Sequence, residues 1–207
     1  MVSSSSLEVE VSATRAAILG AGRKLLLSKK AFSMGSVAKL AGVSRQAVYL
    51  HFTDRYALLE AIVDEVIAEA SIGDTRKRIA EAETGREALA HFLATSVRVT
   101  LSHGAIDHGV RATLAADPTL ANRWARRKGR SAMVRAIVER LQADGALRSG
   151  LSAAECEGVI HAFTAPDFLV GLLGAVSAAQ AVDMLGRAVE AALLGPTVAP
   201  ARRRRSG

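Results

Sequence analysis

Residues 33–59 constrain the fold of this chain more than any other segment. They read SMGSVAKLAGVSRQAVYLHFTDRYALL, in which two short helical patterns flank the turn Gly42-Val43-Ser44. The first pattern begins at Ser33, a natural N-cap residue, and ends before the turn, while the second covers residues 45–51. A helix, a tight glycine turn and a second helix with exposed polar residues form a helix-turn-helix, which predicts DNA binding.

Positive charge is concentrated around this motif. The 207-residue chain has a formal net charge of +7, and residues 13–60 contain eight basic and two acidic side chains, a net +6. A tail of four arginines, Arg202 to Arg205, adds +4, so the rest of the chain is close to neutral. A basic segment on a nearly neutral body is typical of proteins that bind nucleic acid. The tail is interpreted as a disordered solubilising end or as an additional nonspecific DNA contact.

The second helix of the motif and its surroundings supply the predicted DNA contacts. Arg45 and Gln46 can make bidentate pairs with guanine and adenine, and Ala47 leaves room for a thymine methyl group. The hydroxyl, imidazole and guanidinium groups nearby suit phosphate oxygens. The serines could also be helix caps only, and the tyrosine and histidine could pack between helices. The complete predicted set is Ser33, Ser44, Arg45, Gln46, Ala47, Tyr49, His51 and Arg55.

The remaining sequence predicts further helices and no strands. Aromatic residues make up only 4 % of the chain, while Ala and Leu abound, which favours an all-α fold. Helices are expected over residues 13–27, 85–103, 106–116, 118–143, 153–173 and 178–194, with another beginning after Asp54. Their start signals include Asp117-Pro118 and the capping boxes Thr84-x-x-Glu87, Ser152-x-x-Glu155 and Ser177-x-x-Gln180.

The last predicted helix bears on assembly. Its polar residues lie on one narrow stripe, so most of its circumference must be buried. Packing this helix and its predecessor against the same pair from a second copy would bury it, in an interface with two-fold symmetry. A central helix of a monomer is the alternative. The stripe consists of Gln180, Asp183, Arg187 and Glu190.

Catalytic, metal-binding and membrane functions find little support in the sequence. No G-x-S-x-G, P-loop or H-E-x-x-H motif is present, and Cys156 is the single cysteine. The spacing of His103, Asp107 and His108 matches no compact zinc pattern. No signal-peptide pattern occurs, and the longest nearly apolar run, residues 168–179, is too short to span a bilayer. We therefore expect a cytoplasmic protein without cofactor or metal that is not an enzyme; a helical enzyme and a partner-binding module without DNA function are the alternatives.

The motif resembles the DNA-binding domain of the TetR (tetracycline-repressor) family. The similarity lies in Ala38-x-x-Ala41-Gly42-Val43-Ser44-x-x-x-Val48-Tyr49-x-His51-Phe52-x-x-Arg55-x-x-Leu58-Leu59 and covers about 60 residues. Two features depart from the family pattern: the link at residues 28–32 is short and lacks a glycine, and Gly35 weakens the first helix of the motif. Arg55 replaces the usual lysine and keeps the charge.

The resemblance implies a homodimeric, ligand-responsive transcriptional regulator, usually a repressor. Two recognition helices would enter successive major grooves of a palindromic operator, roughly 34–36 Å apart. A small, largely apolar effector bound in the C-terminal domain would release the DNA, and dimerisation would use the last two long helices. Activation instead of repression stays open.

Four segments follow from the sequence and the resemblance together. Residues 1–12 are a flexible arm, 13–72 the DNA-binding domain, 73–195 the ligand-binding and dimerisation domain, and 196–207 a basic disordered tail. The second domain is expected to line an apolar pocket that carries a few polar groups. Core packing is the alternative for each candidate lining residue, namely Phe92, Trp124, Met133, His161 and Phe163.

Overall fold

The protein is built from α-helices. A computed structural model describes residues 4–28, 30–126 and 129–195, with side chains from residue 11 onwards except at 129. Within these ranges no β-strand forms, which confirms the predicted all-α class. The helices are α1 (Ser4–Leu27), α2 (Met34–Ala41), α3 (Arg45–His51), α4 (Arg55–Glu69), α5 (Ile72–Glu81), α6 (Gly85–Ala115), α7 (Pro118–Trp124), α8 (Gly129–Ala143), α9 (Ala153–Phe163), α10 (Pro166–Ala175) and α11 (Ala178–Leu193). The arginine tail lies outside the described residues.

The chain divides into two compact units. Unit 1 comprises residues 1–74 and 98–128, and unit 2 comprises residues 75–97 and 129–207. The sequence placed residues 98–128 in the second domain, because a boundary read from a break in the pattern can only follow chain order. Helix α6 contributes apolar residues to both cores, so its second half groups with the N-terminal helices. The division into DNA-binding and effector-binding functions remains a prediction.

In unit 1, α1 packs against α2, α3 and α4, and the second half of α6 contributes to the same core. Its core contains the fully buried side chains of Ile18, Val48 and Ile62, together with Ile106 and Val110 of α6. Helix α6 approaches α1 very closely at Gly109, where a Cβ atom would lie 2.2 Å from the carbonyl oxygen of Leu26. Only a residue without a side chain therefore fits at this crossing.

A charged cluster ties α1, α4 and α6 together inside unit 1. Arg23 donates through both terminal nitrogens to the carboxylate of Glu69, with Nη2 2.8 Å from Oε2. His103 Nε2 lies 3.2 Å from the same Oε2. The hydrogen bond from Arg23 is the main reason that the pKa of Glu69 falls to about 2. Glu69 thus stays ionised throughout the pH range in which most carboxylates titrate.

Unit 2 has a separate apolar core. It contains Leu93 of α6, Ile137 of α8, Ile160 of α9 and Leu185 of α11, all nearly or fully buried. Arg140 donates to backbone carbonyls at the end of α5, including that of Ala80 at 3.2 Å. Basic side chains at a helix C-terminus satisfy carbonyls that have no partner within the helix.

Several helix boundaries differ from those predicted. Helix α1 begins at Ser4, within the predicted flexible arm, because the segment contains no glycine or proline that would stop it. Helix α5 lies across the predicted domain boundary between residues 72 and 73, where no helix was predicted. Helix α6 is continuous where two helices, 85–103 and 106–116, were expected, since one glycine at 104 does not end a long helix.

Two predicted long helices are each divided. Residues 118–143 form α7 and α8, and residues 153–173 form α9 and the first part of α10. The second division falls at Pro166, which has no amide hydrogen and forces Ala165 into an extended conformation, with φ −62° and ψ 134°. The dimerisation surface predicted on the last two long helices therefore corresponds to α9 and α10, which divide the first of them, and to α11, which matches the second.

Candidate nucleic-acid interface

Local capping interactions build the helix-turn-helix as its sequence predicts. Ser33 caps α2, and its hydroxyl accepts the Ser36 amide at 3.1 Å. Gly42 ends α2 in the left-handed conformation, with φ 71°, where a side chain would be strained. Ser44 then caps α3 and accepts the Ala47 amide at 3.0 Å. These caps fix where α3 begins and how it leaves the turn.

Helix α3 presents one face to the core and the opposite face to solvent. Val48 is fully buried and anchors the helix. With 3.6 residues per turn, Gln46 and Leu50 each lie about 160° around the helix axis from Val48. They therefore form the outermost ridge of α3, and both are exposed. The Leu50 side chain is 81 % exposed, although it is apolar and was not among the predicted contacts.

Arg45 and Tyr49 form one flank of this ridge. The guanidinium carbon of Arg45 lies 5.7 Å from the centre of the Tyr49 ring, and Arg45 Nη2 donates to the tyrosine hydroxyl at 3.4 Å. Both side chains are exposed. Stacking of this kind orients the guanidinium, which carries further N–H donors besides the one that reaches Tyr49.

The other predicted contact residues differ in how accessible they are to a DNA phosphate. Ser44 is exposed, whereas Ser33, Ala47 and His51 are half-buried. The hydroxyls of both serines already accept an amide hydrogen as caps, so an additional phosphate would receive their hydroxyl hydrogens. His51, at the end of α3, lies beside Phe52 with ring centres 6.5 Å apart.

Arg55 is held by the protein itself. Its guanidinium pairs with Asp117, and Nη1 also donates to the carbonyl of Phe32 at 3.3 Å. A phosphate contact by Arg55 would therefore compete with Asp117. This pairing joins α4 to the start of α7, which lies 62 residues later in the chain.

A second ion pair joins the start of α4 to α7, with the acidic residue now at α4 and the arginine on α7. Asp54 caps α4 through Oδ1, which accepts the Ala57 amide at 2.8 Å, and pairs with Arg123 of α7 through Oδ2. Asp117 likewise caps α7 through Oδ1 and pairs with Arg55 through Oδ2. Burial alone would raise the pKa of Asp54, but the amide and guanidinium hydrogen bonds hold it below its usual value.

Sequence reasoning missed the role of Asp117 and Arg123 in this arrangement. Asp117 was recognised as a helix start, and the structure confirms that it caps α7. Its second oxygen acts across a large sequence separation, which no local pattern reveals. The exposure of Leu50, in contrast, could have been predicted from the local sequence, because Leu50 follows Gln46 by four residues and so lies on the same helix face.

The candidate effector residues fall into two groups. Phe92 is buried in the core of unit 2, and Met133 and Phe163 pack against that core. His161 belongs to the same unit and is half-buried; its burial, followed by the charge of Arg130, lowers its pKa. Trp124 instead belongs to unit 1, where its ring meets that of Tyr56 at 5.9 Å. The structure therefore separates Trp124 from the other four.

Two further observations concern other kinds of site. Among the described residues, no three His, Cys, Asp or Glu side chains are grouped so that they could hold a metal ion. In the same ranges, no single helix is long and apolar enough to cross a membrane, and only α9 and α10 taken together, across a 46° bend, pass on length and composition.

The geometry and charge together are those of a basic helix-turn-helix whose second helix is exposed. Residues 18–62 match the family model described as bacterial regulatory proteins, tetR family. This match covers the segment that contains the helix-turn-helix and leaves the rest of the chain unmatched. No curated protein sequence matches the chain.

Solved structures share the fold. A TetR family transcription regulator from Marinobacter aquaeolei VT8 is 18 % identical, with a TM-score of 0.66, over 91 % of this chain and 100 % of that one. NalD of Pseudomonas aeruginosa, the secondary repressor of the MexAB-OprM multidrug efflux pump, is 19 % identical with a TM-score of 0.64, over 89 % and 98 %. The transcriptional regulator FadR from Bacillus subtilis, in complex with stearoyl-CoA, is 16 % identical with a TM-score of 0.67, over 84 % and 96 %.

Proposed function

We propose that this protein is a transcriptional repressor that binds a palindromic operator as a homodimer and leaves it when a small effector binds. The observation that carries the proposal is the exposed surface of α3, which presents Arg45 and Gln46 beside a basic surface while Val48 anchors the helix. Arg45 would pair with guanine and Gln46 with adenine in the major groove.

The remaining predicted contacts would position α3 on the duplex. The hydroxyls of Ser33, Ser44 and Tyr49 and the imidazole of His51 are suited to phosphate oxygens. Such contacts carry no sequence information, but they fix the register in which Arg45 meets the base pairs. The charge of +6 over residues 13–60 would add attraction that weakens as salt is raised.

Exposed apolar residues on α10 and α11 support a dimer. The side chains of Phe168, Val170 and Met184 are 43 %, 53 % and 43 % exposed. Solvent exposure of several large apolar residues on neighbouring helices is typical of an interface. Leu185, in contrast, is only 1 % exposed and belongs to the core of unit 2. It therefore stabilises the subunit and is unsuited to a test of the dimer.

Unit 2 is the proposed effector-binding unit. Phe92, Met133 and Phe163 supply apolar surface, and His161 supplies a polar group whose lowered pKa favours the neutral imidazole. Such a lining suits a largely apolar ligand held by few hydrogen bonds. FadR, which shares the fold, was solved with stearoyl-CoA, so an acyl-CoA is the first effector to try.

Helix α6 provides a route for the response. Its first half belongs to the core of unit 2 and its second half to the core of unit 1. An effector that binds more tightly to the conformation with α6 in one position than to the conformation with α6 in another would shift the population of DNA-binding conformations. A coupling free energy of about 1–3 kcal/mol is typical of such linkage.

Selection of genomic DNA tests the proposal. Fragments of the protein's own genome that it retains would be sequenced, and the protected region would then be mapped by footprinting. We expect a palindrome with half-sites about one helical turn apart and a dimer in solution. Retention of fragments without a common sequence would contradict operator binding.

The effector is tested on the same fragment. Stearoyl-CoA is expected to lower operator affinity by about 5–150-fold, the range that corresponds to the coupling above, and coenzyme A alone serves as the control. If neither stearoyl-CoA nor a panel of apolar small molecules weakens binding, ligand-controlled release is wrong.

A further inference from the structure

Leu50 is the most anomalous residue on the DNA-binding surface. Its side chain is 81 % exposed, although leucine is strongly apolar. Nearly complete exposure of a leucine on the outermost ridge of a helix gives no stability to the folded subunit. The side chain therefore suits a surface that becomes buried only when a partner binds.

The position of Leu50 identifies that partner. It lies one turn after Gln46 on the ridge opposite the anchor Val48, so any duplex that receives Gln46 in its major groove must also meet Leu50. The two Cα atoms are separated by about 6 Å along the helix axis, at 1.5 Å per residue. This spacing corresponds to no more than about two base-pair steps of 3.4 Å.

Only one chemical group in the major groove matches a leucine side chain. Base edges present hydrogen-bond donors and acceptors there, and the single apolar group is the C5 methyl of thymine. Leucine can neither donate nor accept a hydrogen bond, so a polar base edge placed against it would lose its water without compensation. A thymine methyl would instead leave water together with the leucine.

We infer that Leu50 is a specificity-determining residue that selects a thymine in each half-site by contact with its C5 methyl group. The thymine lies within two base pairs of the base that Gln46 contacts. This inference rests on the proposed operator binding and adds a base preference that Arg45 and Gln46 do not provide. A sugar contact or an apolar protein partner would also cover Leu50, and neither would depend on the thymine methyl.

Replacing thymine by deoxyuridine removes only that methyl group. Each thymine of the selected operator would be replaced in turn, in both half-sites together, and the dissociation constants measured by fluorescence anisotropy. Removing one buried methyl should weaken binding about 4-fold, and the pair of symmetric replacements should weaken it about 15-fold. One symmetric thymine pair near the Gln46 contact should show this loss.

Leu50→Ala provides the second half of the test. This variant should bind thymine and uracil operators with equal affinity, because the side chain that senses the methyl is gone. Leu50→Met should keep most of the discrimination, since it retains apolar contact. Leu101→Ala, at another exposed leucine of unit 1, is the matched control and should discriminate like the wild type. The exposure of Leu50 means that thermal melting should be nearly unchanged in all variants.

The outcomes separate the inference from the proposed function. Wild-type protein that prefers its operator but binds all uracil-substituted versions equally would overturn the role of Leu50 and leave operator binding intact. If Leu50→Ala still bound the thymine operator more tightly than the uracil operator, another residue would make the methyl contact, and the inference would be overturned as well. Absence of any preferred operator would overturn both.

Discussion

Gly109 is the position where a single added carbon should most disturb unit 1. In Gly109→Ala, the new Cβ would lie 2.2 Å from the carbonyl oxygen of Leu26, 2.7 Å from its carbonyl carbon and 2.9 Å from its Cα. Favourable carbon contacts require about 3.5–4.0 Å, so α6 and α1 would have to separate by roughly 1 Å. Backbone atoms at the end of α1 cannot rotate away as a side chain could.

The expected cost follows from this overlap. Overpacking a core typically costs about 1–3 kcal/mol, and the better helix propensity of alanine returns up to about 1 kcal/mol. We therefore expect Gly109→Ala to lower the free energy of unfolding by about 1–2 kcal/mol. For a chain of this length, that corresponds to a fall in Tm of about 2–8 °C.

Thermal and urea unfolding followed by circular dichroism measures this effect. Gly20→Ala in α1 is the matched control, because a Cβ there meets nothing within 4 Å. It should leave stability unchanged or raise it by up to about 1 kcal/mol. If Gly109→Ala were as stable as Gly20→Ala, the close crossing of α1 and α6 would be wrong.

Three other substitutions probe separate parts of the protein. Glu69→Gln should destabilise the protein at neutral pH, and its deficit should shrink as pH falls from about 4.5 towards 2. In that window the unfolded wild-type chain binds a proton at Glu69, whereas the folded protein, in which Arg23 holds the pKa at about 2, does not, so the wild type loses this stabilisation; a deficit independent of pH would contradict this. Asp117→Asn, which keeps a capping oxygen, should cost less than about 1 kcal/mol in urea unfolding, whereas Asp117→Ala should cost about 1 kcal/mol more; equal losses would argue against a separate capping role. Val170→Asp should yield monomers by light scattering while Leu101→Asp stays dimeric, and an unchanged mass for Val170→Asp would remove α10 from the interface.

Local signals in the sequence were sufficient for the framework of the motif. The caps at Ser33 and Ser44 and the glycine turn between them depend on residues within four positions of one another, and the structure has all three. The capping boxes that begin at Ser152 and Ser177 are also confirmed. Short-range hydrogen bonds of this kind are readable because residue type and spacing determine them.

Long-range packing could not be predicted from the sequence. Nothing near Arg55 indicates that its partner is Asp117, and nothing near Trp124 shows that it packs in unit 1 instead of beside Phe92. Gly109 reads as a weak helix residue until the backbone of α1 is placed against it. These relations depend on how helices pack, which periodicity alone does not specify.

The predicted contact residues include some that local signals place correctly and others whose surroundings depend on long-range packing. Arg45 and Gln46 are exposed on α3, as a helix placed by local caps requires. Arg55 has the predicted charge and position along the chain, but a partner from a distant segment engages its guanidinium. Leu50 was not among the predicted contacts, although its angular position relative to Val48 directs it outward.

The ratio of dissociation constants for the selected operator and for a scrambled duplex of equal length decides whether α3 reads bases. At about 0.15 M salt, we expect the operator to be bound at least 10³-fold more tightly, as is typical of specific regulators. This preference for the operator should fall about 5–150-fold for each half-site in Arg45→Ala, since one bidentate base contact is worth about 1–3 kcal/mol. Equal affinity of the wild-type protein for both duplexes would contradict base recognition by α3.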